Sequence, residues 1–96
     1  MKIEKPALSG TLESSDLLVK VEPNQGLEIV INSDVHKQFG HQIKHVVDQT
    51  LQDLGVSDGL FIIEDRGALD CVIKARVQSA VQRSLENPTL NWSQVL

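Results

Sequence analysis

Leu17-Leu18-Val19-Lys20-Val21-Glu22 sets Leu17, Val19 and Val21 in alternation with Leu18, Lys20 and Glu22. A period of two buries one face of a β-strand and leaves the other in water. Downstream, Leu27, Ile29 and Ile31 alternate with Glu28, Val30 and Asn32, and Pro23-Asn24-Gln25-Gly26 lies between the two runs. That composition reads as a turn, so the two strands are expected to form a hairpin. Upstream, Ala7 to Leu12 is a shorter and weaker strand, followed by the turn-forming residues Glu13 to Asp16. It is expected to pair with the strand that starts at Leu17. The three together predict a meander with Ser14 and Ser15 at one tip.

From Ser33 onward the period changes. Ser33 or Asp34 is a plausible N-cap for a helix running to about Leu54, with Gly55 as its stop. Phe39, Ile43, Val46, Val47, Thr50, Leu51 and Leu54 share one broad face at helical spacing, opposite His41, His45 and Asp48. Gly40 inside this helix costs roughly 1 kcal/mol relative to alanine, which fits a close approach to the strands. Leu60 to Ile63 is a continuous apolar run between Asp58-Gly59 and Glu64-Asp65, the pattern of a buried strand. Asp65-Arg66-Gly67 reads as a strand-to-helix turn or as a docking surface. A last helix spans about Ala68 to Leu85, with Leu69, Val72, Ile73, Arg76, Val77, Ala80 and Val81 on one side.

The order β-β-β-α-β-α, with one apolar face on each helix, predicts an α+β two-layer sandwich: a four-stranded sheet with two helices on one face. If the Leu27 and Leu60 strands are parallel neighbours, the crossover between them is expected to be right-handed. Residues 1–86 read as a single domain and 87–96, with Pro88 and Trp92, as a loose tail. Internal repeats and low-complexity tracts are absent from the sequence.

The core must be mostly aliphatic, because Phe39, Phe61 and Trp92 are the only aromatic residues of the 96. So few aromatic platforms and a net charge of −4 argue against nucleic acid as a partner. Met1-Lys2-Ile3-Glu4-Lys5-Pro6 has no apolar run behind it, which reads as neither signal peptide nor membrane anchor. The expectation is a cytoplasmic protein with no membrane contact. One cysteine, Cys71, forms no internal disulfide and agrees with a reducing compartment.

Candidate chemistry is sparse. A serine needs a base to become a nucleophile, and no histidine stands in triad order with Ser14. An exposed hydroxyl suits attachment better, since a separate transferase supplies the base and the activated group. Residue chemistry alone leaves Ser14, Ser15 and a purely structural turn all open. Glu13 and Asp16 flank the pair with negative charge. They either hold an attached group outward and mark the turn for an enzyme, or simply solubilise the turn. His41 and His45 have the i, i+4 spacing of a metal pair, but a catalytic zinc site wants three ligands, so they read as a solvated face. His36 reads as a surface residue. Cys71 reads as a partly buried helix residue with no histidine near it in sequence.

Gly10-Thr11-Leu12-Glu13-Ser14, together with Gln38-Phe39-Gly40 and Asp65-Arg66-Gly67-Ala68-Leu69-Asp70-Cys71, resembles the acyl carrier protein of citrate lyase, the gamma subunit. The resemblance runs from Met1 to about Leu85. An ordinary acyl carrier protein is a four-helix bundle with an Asp-Ser-Leu motif, and this chain has no Asp-Ser-Leu. The resemblance implies a non-catalytic carrier with 2'-(5''-phosphoribosyl)-3'-dephospho-CoA joined to Ser14 by a phosphodiester. Ser15 falls where that family also admits glycine. It further implies acetyl and citryl thioesters on the arm during cleavage of citrate to acetate and oxaloacetate. Implied partners are the alpha (acyl transferase) and beta (citryl lyase) subunits and a cofactor-attaching transferase. Carriers of citramalate lyase or malonate decarboxylase, and an unmodified protein-interaction module, are the alternatives.

Overall fold

The computed structural model describes residues 1–33 and 36–85, without side-chain detail at 36–40. The elements follow in the expected order: β1 (Ala7–Gly10), β2 (Leu17–Glu22), β3 (Leu27–Ser33), α1 (His36–Leu54), β4 (Gly59–Asp65) and α2 (Asp70–Arg83). Asp34 as an N-cap, the packing of Phe39, Gly40 and His36, and the tail at 87–96 lie outside the described residues.

The alternation in β2 does what its period demands. Leu17, Val19 and Val21 are buried while Lys20 and Glu22 are exposed. Both helices cover that one face. Ile43, Val47, Leu51 and Leu54 of α1 and Ile73, Val77, Ala80 and Val81 of α2 form a single core with Phe61 and Ile63 of β4. Ile3 and Val56, outside the regular elements, complete it. The result is the two-layer α+β sandwich. Gly55 stops α1 with φ +73°. Its N–H donates to the Gln52 carbonyl and the N–H of Val56 to that of Leu51, the paired bonds of a Schellman motif.

One expectation fails. The strands beginning at Leu17 and Leu27 do not form a hairpin, because the sheet order is β1-β2-β4-β3 and β4 lies between them. β2 pairs antiparallel with β4, Val19 opposite Ile63, and β3 pairs parallel with β4, Ile29 opposite Phe61. There is accordingly no three-stranded meander. Residues 23–26 therefore bridge two strand spacings, about 10 Å, which a four-residue link reaches at roughly 13 Å. The link is tied across the start of β4: Gly26 N–H donates to Asp58 Oδ1 at 2.8 Å and Gly59 N–H to the Gly26 carbonyl at 3.0 Å. The physical reason lies in β4 itself. A run of four consecutive apolar residues loses most by standing at an edge, so burial of Leu60 to Ile63 outweighs the local turn signal.

The β1–β2 hairpin forms as expected, with Ala7 opposite Val21 and Gly10 opposite Leu18. α2 starts at Asp70, with Leu69 at its N-cap in extended conformation. Leu69 therefore precedes the helical spacing, and it is exposed rather than on the buried side. Cys71 is also exposed, contrary to expectation. At 100° per residue it points away from the Ile73, Val77 and Ala80 face.

Candidate functional site

The β1–β2 hairpin leaves six residues, Thr11 to Asp16, beyond the sheet. Asp16 N–H donates to the Glu13 carbonyl at 3.2 Å, closing a four-residue turn with Ser14 and Ser15 at its centre. Ser15 has φ +64°, the only positive value at a non-glycine residue among the described residues. Such a position favours glycine or a short polar side chain. The turn is also stitched to the end of β4. Ser15 N–H donates to the Arg66 carbonyl at 2.8 Å, and Arg66 N–H donates to the Asp16 carbonyl at 2.9 Å.

Asp16 holds the loop from within. Its carboxylate accepts from Thr11 Oγ1 at 2.6 Å and from Leu17 N–H at 2.7 Å. Thr11 Oγ1 in turn accepts Glu13 N–H at 3.2 Å. Arg76 then reaches across from α2 with both prongs of its guanidinium, Nε to Asp16 Oδ1 at 3.1 Å and Nη2 to Oδ2 at 3.0 Å. The Thr11 hydroxyl first, then Arg76 and the Leu17 amide, hold the Asp16 carboxyl down to about 2. Asp16 is therefore an ion-paired strut, not one of two free acids flanking the serines. Glu13 keeps the exposed position expected of it.

Arg76 is the residue that sequence reading passed over. A cation on the apolar stripe of the last helix was the available signal, since a charge there needs a partner. Gly10 makes room for it. A Cβ built on Gly10 would lie 3.3 Å from Arg76 Cδ.

Ser14 is left out of this network. It is exposed, and among the described residues neither its hydroxyl nor its backbone takes a hydrogen bond. Ser15 is equally exposed, but its backbone is committed to Arg66. The two serines thus differ in geometry rather than chemistry.

The other candidates do not converge on this tip. His41 and His45 are exposed on α1, and Asp48 pairs with Lys44 at 2.8 Å. Among the described residues no three His, Cys, Asp or Glu side chains gather as a metal site would require. Asp65 is buried and accepts from Ser33 Oγ at 2.8 Å and from Ala68 N–H at 2.9 Å. It thereby ties β3, β4 and the entry to α2 together beneath the tip. Beside it a groove of about 630 Å³ opens between α1 and α2, walled by Ile43, Ala68, Leu69 and Ile73. Cys71 stands at its rim. No described helix is long and apolar enough to cross a membrane.

A mixed four-stranded sheet, two helices on one face and a stitched polar hairpin tip define the class: a small two-layer α+β domain outside the four-helix carriers. Comparison with known proteins narrows it. Residues 4–84 match the family model described as "ACP: Malonate decarboxylase delta subunit (MdcD)". The chain is 60% identical over 96 residues to the citrate lyase acyl carrier protein of Pectobacterium atrosepticum, covering 99% of this chain and 100% of that one. It is 56% identical over 97 residues to the protein of the same name from Vibrio cholerae serotype O1, covering 99% of each. A chain in the crystal structure of a Pseudomonas malonate decarboxylase hetero-tetramer in complex with malonate has a TM-score of 0.77 and 26% identity. That match covers 88% of this chain and 89% of the other. The chain belongs to the acyl carrier protein family of citrate lyase and malonate decarboxylase.

Proposed function

We propose that this chain is the acyl carrier subunit of a cytoplasmic citrate lyase complex, with 2'-(5''-phosphoribosyl)-3'-dephospho-CoA attached at Ser14. The observation that carries the reading is the Ser14 hydroxyl, exposed and free of hydrogen bonds on a turn whose other members are tied down. When bound, the group supplies a terminal thiol that carries acetyl and citryl residues as thioesters.

The residues present fit such a group. During attachment, Ser14 Oγ displaces the phosphoanhydride leaving group of an activated donor. A new O–P bond forms, the anhydride bond breaks, and the hydroxyl proton passes to a base of the attaching transferase. Ser14 needs no base of its own for that step. The strut from Asp16 to Arg76 fixes the turn on α2 while Ser14 stays exposed, and pairing removes most of the charge that would otherwise repel a phosphodiester nearby. Residues 1–86 serve as one carrier domain. Tethering makes each encounter with the alpha acyl transferase and beta citryl lyase subunits effectively intramolecular.

Identities of 55–62% to seven citrate lyase carriers favour citrate as the substrate of the complex. A malonate decarboxylase carrier is the second reading, favoured by the matching family model and the 26% identical neighbour. Reconstitution of the modified chain with citrate lyase alpha and beta subunits, and in parallel with the catalytic subunits of malonate decarboxylase, separates them. Turnover of citrate supports the assignment; restored malonate decarboxylation with no citrate cleavage overturns it. Citramalate tested in the same assay distinguishes the citramalate lyase alternative.

A further inference from the structure

We propose that Arg76 is the positioning residue of the attachment site, and that its fork on Asp16 selects Ser14 over Ser15 as the acceptor. This rests on the reading that Ser14 is the attachment point. Two adjacent exposed serines carry the same hydroxyl chemistry, so a choice between them must come from geometry. The structure supplies that geometry from three sides. Arg76 fixes the Asp16 side chain through two hydrogen bonds, Thr11 adds a third, and Arg66 fixes the Ser15 and Asp16 backbone. Ser15 is thereby locked at φ +64° while Ser14 is held out as the apex.

Arg76 is suited to the task in ways a lysine is not. Its planar fork meets both carboxylate oxygens at once and sets their orientation as well as their charge. Its stem lies over Gly10, and the side chain is 39% exposed against 14% for its partner. The salt bridge therefore runs from the helix layer to the tip with one end shielded. Loosening it allows the turn to sample arrangements in which Ser14 is no longer the apex. An attaching enzyme then meets the productive form in only a fraction of molecules, which raises apparent KM for the carrier more than it lowers kcat.

The test is attachment kinetics by intact mass, using purified attaching transferase and its activated phosphoribosyl-dephospho-CoA donor, with peptide mapping of the product. For Arg76→Gln we expect KM for the carrier to rise about tenfold, kcat to change by less than about twofold, and label to appear on Ser15 as well as Ser14. Arg76→Lys, which restores charge without the fork, falls between. Arg83→Gln serves as the folding control, because Arg83 also ties α2 to the hairpin, donating to the Leu8 carbonyl at 2.9 Å. It is expected to label like the wild type. Wild-type KM and exclusive Ser14 labelling in Arg76→Gln overturn the proposal, as does full rescue by lysine. Failure of the wild type itself to take label sinks the attachment reading too, so the two failures are told apart.

Discussion

Gly10 lies so close to Leu17 that a Cβ placed on it would sit 1.9 Å from the Leu17 carbonyl oxygen. The obstacle is backbone, and φ at Gly10 is +94°, so an L side chain meets strain and overlap together. The hairpin can narrow at this point only because residue 10 has no side chain. Gly10→Ala is therefore expected to lose about 3 kcal/mol of stability, measured by urea unfolding. A loss below about 0.5 kcal/mol would show that the hairpin does not close as described.

Asp16 gives the tip a pH signature. Its folded-state pKa, about 2, is lower than the ordinary 3.8. A depressed carboxyl contributes stability that is fully present above pH 3.8 and is lost as pH falls through about 2. After allowance for solvent screening the contribution is about 1 kcal/mol. Asp16→Asn should lower stability at pH 7 and flatten the stability curve between pH 4 and pH 2, as followed by thermal melts. Parallel curves for the two proteins across that window would contradict the ion-paired strut.

The strand order predicts a hydrogen-exchange pattern. β4 is bonded on both sides, to β2 and to β3, so amides from Leu60 to Glu64 should form an unbroken run of the slowest exchangers. β1 and β3 are edges, and alternate amides there should exchange faster. Slow exchange throughout β3 with a fast edge in β4 would restore the simple hairpin.

Phe61 is the one aromatic side chain in the described core and is fully buried. Phe61→Ala should cost 3–5 kcal/mol, about the range for truncating a buried aromatic. A loss under about 1 kcal/mol would mean that the aliphatic neighbours collapse into the space.

Most of the architecture is legible in periodicity. Leu17, Val19 and Val21 announce their strand, Ile43 to Leu54 and Ile73 to Val81 their helices, and Gly55 its stop. Pairing partners are harder to see, since Pro23-Asn24-Gln25-Gly26 serves equally for a hairpin and for a link over the end of a third strand. Only the competition among strands for the central place decides it, and Leu60 to Ile63 wins on burial. The tip was legible as a turn, and the family resemblance singled out Ser14 within it. Its support was not: Arg76 stands 60 residues from Asp16 along the chain, and no local pattern links a helix cation to a loop carboxylate. Ser15 offered a partial clue: its φ of +64° is one that glycine adopts without strain, in keeping with the resemblance's expectation that glycine can stand there.

The central claim is that Ser14 is a mounting point. Its most direct test is the intact mass of the chain produced together with its attaching enzymes, for the wild type, Ser14→Ala and Ser15→Ala. The account predicts a single adduct of the mass of phosphoribosyl-dephospho-CoA on the wild type and on Ser15→Ala, and none on Ser14→Ala. An adduct that survives Ser14→Ala, or a wild-type chain that stays at its unmodified mass, would contradict it.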